Sequence, residues 1–320
     1  MELFIFILQK TILCTVPLLI VALAGIFAER SGVINIALDG MMIFGAFAGA
    51  MTVYYMQKGG VLDGHNQWQF VIAMLVAALG GAVFSLLLSF SAVDLKADQT
   101  IGGTALNLLA PALTCLIVKI ISFEDKLVMP KDIGFVILND DLPAFWRIFF
   151  DKAYLSTYVA IVLFVVLSIW LYKTKTGLRL RACGEHPQAA GSVGINVQKM
   201  RYLGTTISGA LGGLGGYIFI ATAAGGTAEG TVAGMGFLAL AIMIFGNWKP
   251  VGVALGALLF GFLKCMSVVY TRIEFLNNIG LPMYFYNMIP YITVLVVLAF
   301  TSKKSRAPKA EGIPYDKGMR

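Results

Sequence analysis

The chain has 320 residues, of which 58% are hydrophobic and 13% charged, whereas a soluble globular domain is nearer a quarter charged. That balance excludes a soluble enzyme or binding domain and indicates a polytopic integral membrane protein. The net charge of +7 does not mark a nucleic-acid binder, because the basic residues gather beside apolar segments in the positive-inside pattern.

Apolar runs of about 18 residues or more mark membrane helices. Nine are expected, at 8–28, 33–56, 68–91, 101–122, 153–172, 202–224, 231–246, 250–271 and 285–301. The fold class is therefore all-α: a transmembrane helix bundle of about nine spans. Residues 1–10 are apolar but carry Lys10, so they either extend the first span or lie in the interface. The N-terminus lacks a basic n-region and a small-residue cleavage site, so no cleavable signal peptide is expected. No polar segment is long enough to bury a core of its own. One transmembrane domain, 1–302, is thus followed by a basic tail, 303–320.

The segment 25–50, GIFAERSGVINIALDGMMIFGAFAGA, joins the first two spans. Glu29 and Arg30 sit at its turn, as a pair or as caps. Asn35 and Asp39 are four apart and share one face if the segment is helical. Asp39 then lies about two turns inside the second span. Ionisable groups in a span usually face the bundle interior or water, so Asn35 and Asp39 read as a polar patch on a translocation path. An anion held at a helix N-terminus by free amides is the plainer reading.

In DLKADQTIGGTALNLLAP (94–111), Asp98 and Thr100 precede Gly102 and Gly103, and Asn107 follows on the helix. Paired glycines at a helix start allow a hinge, which makes Asp98, Thr100, Gly102 and Gly103 a candidate gate. The alternative is an ordinary turn capped at Asp98 or Thr100. Asn107 can donate and accept, to a polar solute or to a neighbouring helix. The 123–152 loop holds four basic and six acidic residues, with Pro130 and Pro143, and an amphipathic piece is expected around 145–150.

The most basic interruption is 173–201, with six basic residues and one acidic residue, Glu185. This loop and the tail (Lys303, Lys304, Arg306, Lys309) are both expected on the cytoplasmic side. Four spans separate them, an even number, so the two assignments agree. Counting backwards puts the N-terminus outside. Glycines crowd the next helix at Gly209, Gly212, Gly213, Gly215 and Gly216, which implies close helix packing. The segments 97–110 and 232–246 both run from a Gly-bearing polar turn into a small-residue helix, and they read as a weak inverted repeat of the kind common in transporters. Asn247-Trp248-Lys249-Pro250 reads as a plain turn with an interfacial tryptophan, Pro250 opening the next helix.

The four cysteines are scattered and only two histidines occur, His65 and His186. Neither a metal site nor a disulfide framework is implied. No catalytic cluster and no P-loop is present. If ATP drives transport, ATP and its Mg²⁺ belong to another chain.

Four of these stretches, ERSGVINIALDGMMIFGAFAGA, KADQTIGGTALNLLAP, TGLRLRACGEHPQAAGSVGINVQKMR and GMGFLALAIMIFGNWKP, together resemble the membrane permease subunits of bacterial ABC importers. The branch is the one serving ribose-type sugars, branched-chain amino acids and nucleosides, and the likeness is greatest to the shorter permease of nucleoside importers. The resemblance implies a cytoplasmic coupling loop at 184–197, with Gly184, Glu185, Ala189, Ala190, Gly194 and Ile195 at its patterned positions. It also implies four kinds of partner: a second, longer permease, a separate ABC ATPase, an extracytoplasmic substrate-binding lipoprotein, and the lipid of a bacterial cell membrane. No nucleic acid is among them. The spans offer mostly Asn, Thr, Ser and Gly, which suits a neutral hydroxylated solute. The function expected is thus nucleoside uptake by alternating access. A simple-sugar permease is the runner-up, and an ion-coupled secondary transporter is a further alternative that would need charge pairs deep in several spans.

Overall fold

In a computed structural model of the chain, the described residues are 2–122, 126–129, 135–136, 153–273, 278–301, 306–316 and 318. Most of the 123–152 excursion, including 145–150, lies outside them. Helix α1 spans Glu2–Arg30, α2 Leu38–Lys58, and α3 Asn66–Ser89 with a π-turn over Phe90–Asp94. Helix α4 follows at Gln99–Ser122 and α5 at Leu155–Lys173. Two short helices then interrupt the long ones, α6 at Lys175–Glu185 and α7 at Pro187–Ser192. Helix α8 is Val197–Thr222, α9 Met235–Phe245, α10 Pro250–Val269 and α11 Met283–Thr301.

Each of the nine expected apolar segments falls on one of these helices. Among the described residues, α1, α3, α4, α5, α8 and α10 are long and apolar enough to cross a membrane. Helix α9 has only eleven residues, about 16 Å at a rise of ~1.5 Å per residue, which is about half a bilayer core. Helix α1 starts at Glu2, so residues 2–10 extend the first span.

Helices α1 and α8 form the centre: 94% of the apolar stretch of α1 and 78% of that of α8 is buried, against 22% for α4 and α5. The glycine face of α8 explains its place. A Cβ on Gly213 would stand 2.3 Å from the Ala77 carbonyl oxygen, and one on Gly216 2.0 Å from that of Met42. One on Gly45 would meet the Gly213 Cα at 2.1 Å. Helix α8 therefore meets α2 and α3 backbone to backbone, the small-residue packing that helices use in lipid.

Two-residue strands occur at the end of the bundle away from α6–α7. Leu127–Val128 pairs antiparallel with Thr227–Ala228, and Phe135–Val136 pairs with Ala153–Tyr154. The two arms of the expected repeat differ in build. Helix α4 has 24 residues and starts on its own Asp98, whereas α9 has 11 and starts on Gly234 without a side-chain cap of its own.

Candidate functional site

Two helix starts, those of α2 and α9, meet at Asp39. The apolar run 33–37 reads as helix by hydropathy, but tertiary partners hold it out of the helix. Gln99 Oε1 accepts a hydrogen bond from the Ile34 amide at 2.7 Å. Asn107 Nδ2 donates to the Ile36 carbonyl at 2.9 Å, and its Oδ1 accepts from the Gly40 amide at 2.7 Å. Helix α2 accordingly begins at Leu38. Asp39 lies in its first turn, not two turns inside, and Asn35 lies before it, so the two do not share a helix face. Asn35 turns instead to α8, where Nδ2 donates to Ser208 Oγ at 2.7 Å.

Asp39 Oδ1 accepts from the Gly236 amide at 2.9 Å. It supplies the cap that α9 lacks, from a residue 197 positions away. A carboxylate at the starts of both α2 and α9 meets two positive dipole ends and free amides. A Cβ on Gly236 would approach Asp39 Cα to 2.4 Å, so any side chain there would part the two helix starts. From α11, Tyr291 donates to the Ala233 carbonyl at 2.7 Å and closes the approach to α9. A small hollow lies one to two turns further along α2, lined by Ile43, Phe47, Thr114, Glu229 and Thr231. Beside Asp39, Asn107 supplies a neutral donor and acceptor and Tyr291 a hydroxyl, while Glu229 in the hollow pairs with Lys126.

At the start of α4, Asp98 Oδ1 accepts from the Thr100 and Ile101 amides at 2.8 and 3.0 Å. Those amides hold its carboxyl below the usual carboxylate range. This is an N-cap, the plainer of the two readings. Gly103 is a contact point, where a Cβ would lie 3.2 Å from Ile36 Cβ, and Gly102 abuts Ser91. The buried Gln99, which the sequence places beside Asp98 and Thr100 but outside the expected gate set, makes the contact with the 33–37 link. Its one signal was a polar side chain at the first position of a helix beside the glycine pair.

The Trp248 turn is not interfacial. Trp248 is 4% exposed, and its indole Nε1 donates to the buried Glu29. Tyr172 donates to the Trp248 carbonyl at 2.6 Å. Asn247 and Trp248 have φ of 52° and 54°, which is uncommon for side chains of this size and is held by these contacts. Glu29 and Arg30 do not pair with each other. Arg30 Nη1 reaches Glu185 Oε1 at 3.2 Å.

The basic loop folds as the helix pair α6–α7. Thr174 Oγ1 accepts from the Gly177 amide and starts α6. Pro187 opens α7, where its missing N–H is no loss. Gly194, at φ +85°, turns the chain back, and the Ile195 amide closes onto the Ala190 carbonyl at 3.1 Å. The expected coupling residues divide. Gly184, Glu185, Ala190 and Ile195 face the chain, and a Cβ on Gly184 would sit 2.4 Å from the Arg30 carbonyl oxygen. Ala189 and Gly194 face outward with Gln188, Ser192 and Val193, the last 75% exposed.

These features, a glycine-packed helical bundle with a half-length helix starting inside it and a helical basic loop on one face, define a multi-pass membrane protein of the transporter kind. The chain belongs to the family described as branched-chain amino acid transport system permease components, whose model matches residues 7–298. It is 40% identical over 318 residues to the guanosine ABC transporter permease protein NupQ of Bacillus subtilis, covering 98% of this chain and 97% of that one. It is 38% identical over 313 residues to the nucleoside ABC transporter permease protein NupC of Lactococcus lactis, covering 97% and 96%. A second Bacillus subtilis protein, the guanosine ABC transporter permease NupP, matches at 26% over 262 residues, 81% of this chain and 73% of that one. No solved structure matches. The resemblance read from the four sequence stretches is thereby borne out.

Proposed function

We propose that this chain is a transport subunit of an ATP-driven importer that takes up nucleosides by alternating access. The observation that carries the reading is similarity, at 40% and 38% identity over nearly the whole chain, to two permeases that are both named for nucleosides or guanosine. The chemistry around Asp39 supports it. With the carboxylate capping α9, the residues nearby offer amide and hydroxyl groups, which suit a neutral solute with several hydroxyls better than an ion. Alternating access then moves α9, with its lead-in and Tyr291, against α2 and α4 around that point.

ATP and its Mg²⁺ bind a separate ATPase. The α6–α7 loop and the C-terminus face the cytoplasm, and Ala189, Val193 and Gly194 present the surface that seats in the ATPase. The membrane is a bacterial cell membrane. A second, longer permease completes the path, in keeping with the two guanosine permease proteins from one organism that this chain resembles. A lipid-anchored binding protein delivers the solute from outside.

The test is uptake of labelled guanosine by cells lacking this chain and by complemented cells, with unlabelled uridine, ribose or leucine as competitor. Uptake that needs the chain and yields only to nucleosides supports the reading. Competition by ribose or leucine in place of uridine overturns the substrate.

A further inference from the structure

The described part of the C-terminal tail, 306–316, does not hang free. It crosses the basic face and touches the Trp248 turn, the α1–α2 turn and the α6–α7 pair. The Arg306 amide donates to Asn247 Oδ1 at 3.2 Å, on the Trp248 turn. The Ala310 amide donates to the Gly184 carbonyl at 2.9 Å, on α6. The Gly312 amide donates to the Gly32 carbonyl at 3.3 Å, on the α1–α2 turn. Tyr315 packs on Cys183, Ala190 and Val197, and a Cβ on Gly191 of α7 would meet its hydroxyl at 2.4 Å. Asp316 pairs with Lys96 of the α3–α4 turn at 3.0 Å.

Two features oppose this closure. Arg201, at the foot of α8, is fully buried. None of its three guanidinium nitrogens has a hydrogen-bond partner among the described residues. It lies against Gly32 beside the Ala310 carbonyl, so the tail helps to keep an unpaired cation from water, an unfavourable arrangement. Glu311 hydrogen-bonds the carboxyl of Glu29, a contact that lasts only while the pair holds a proton. A segment held by a few main-chain bonds, one aromatic ring and one surface ion pair, and opposed by two buried charges, is balanced between docked and free.

We propose that residues 306–316 are a releasable strap that, while docked, makes the α6–α7 loop, the α1–α2 turn and the Trp248 turn move as one body. Those turns lead to the Asp39 site from both sides. The α1–α2 turn feeds the 33–37 link and Asp39 itself, and the Trp248 turn ends the helix whose start Asp39 caps. The strap thus carries a displacement of α6–α7 to both α2 and α9. The role in transport rests on the reading of α6–α7 as the ATPase contact. The docking does not.

The test uses the assembled transporter in inside-out membrane vesicles, with the exposed Cys115 replaced by serine. Cys183 is fully buried in the small cluster that Tyr315 packs against, so its rate of reaction with a maleimide is used to report docking. Tyr315→Ala is expected to raise that rate about tenfold or more, as local opening does. It should also lower solute carried per ATP hydrolysed several-fold while the ATPase stays bound. Gly191→Ala, which pushes on the Tyr315 hydroxyl from the other side, should act in the same direction if Tyr315→Ala fails to accumulate. A Cys183 equally protected in both variants overturns the strap. A Cys183 that opens with unchanged solute per ATP overturns its role in transmission. Val193→Arg separates the two readings: loss of ATPase association with Cys183 still protected is expected. Retained association would sink the ATPase-contact reading and leave the strap standing on Cys183.

Discussion

The helix crossing at Gly45, Gly213 and Gly216 and the basic face around Glu29 are held in opposite ways. At the crossing, backbone meets backbone and no atom can be added without moving a helix. At the basic face, apart from the close approach of Gly184 to Arg30, the chain is joined by single groups: one indole, one guanidinium, one phenol and a few main-chain bonds of the tail. Packing of the first kind has many small contacts and one arrangement. Joints of the second kind can exchange partners, which is what a part that must move requires. The bundle core is thus the frame and the basic face the mechanism.

The largest way to break that contrast is at the frame. Gly216→Val places atoms within 2.0 Å of the Met42 carbonyl oxygen and should destabilise by about 3 kcal/mol or more, as overpacking does. Thermal unfolding of the purified chain in detergent checks it, and a stable variant would mean that α8 and α2 are not locked.

Next comes the joint at Glu29. Trp248→Phe keeps an aromatic ring and removes one donor from a buried carboxyl, a loss of about 1–3 kcal/mol. Uptake should fall along with stability. An unchanged melting point would show that Glu29 finds another partner. Asp39→Ala strips the cap from α9, a loss of about 1 kcal/mol, with a larger effect on uptake than on melting. Asp39→Asn keeps an acceptor and should restore part of it. If both variants transport normally, the convergence on Asp39 is only structural.

A smaller effect follows from pH. Burial pushes the Glu311 carboxyl up from 4.5 to about 6, with Glu29 and Arg30 pulling it down. The docked tail therefore favours the protonated acid. Its contribution to docking is fully present below about pH 4.5 and is lost as pH rises through about 6. The ratio of Cys183 labelling rates, wild type over Glu311→Gln, should rise across that window, since a ratio at each pH cancels the chemistry of the thiol. A flat ratio would remove Glu311 from the balance. Smallest of all, Lys96→Ala breaks an exposed pair and should shift stability by less than about 0.5 kcal/mol. A large loss there would mean that the rim of the strap, and not Tyr315, holds it.

Much of the frame was legible without coordinates. Long apolar runs announced the helices, and the glycines at 209–216 announced close packing, because hydropathy and side-chain size act through neighbours in sequence and through the lipid. The α6–α7 helix pair was legible as a basic loop with Pro187 and Gly194. The site was legible only as a set of residues. Asn35, Asp39 and Asn107 stood out as polar groups in apolar runs, yet their bonds go to Ser208, Gly236 and the Ile36–Gly40 link. The start of α2 was misread because Val33 to Ile36 is apolar enough for a helix, and only Gln99 and Asn107 keep it from one.

Composition and periodicity by themselves determined that this protein is a membrane-embedded bundle with one basic loop and a basic tail. The tertiary structure alone decided that Asp39 caps α9, that Trp248 serves a buried glutamate and that the tail lies strapped across the loop. Apolar burial is non-directional, so it can be read from the average character of a segment. A hydrogen bond needs one donor at one distance from one acceptor, and here the partners lie 197 residues apart for Asp39 and 219 for Trp248.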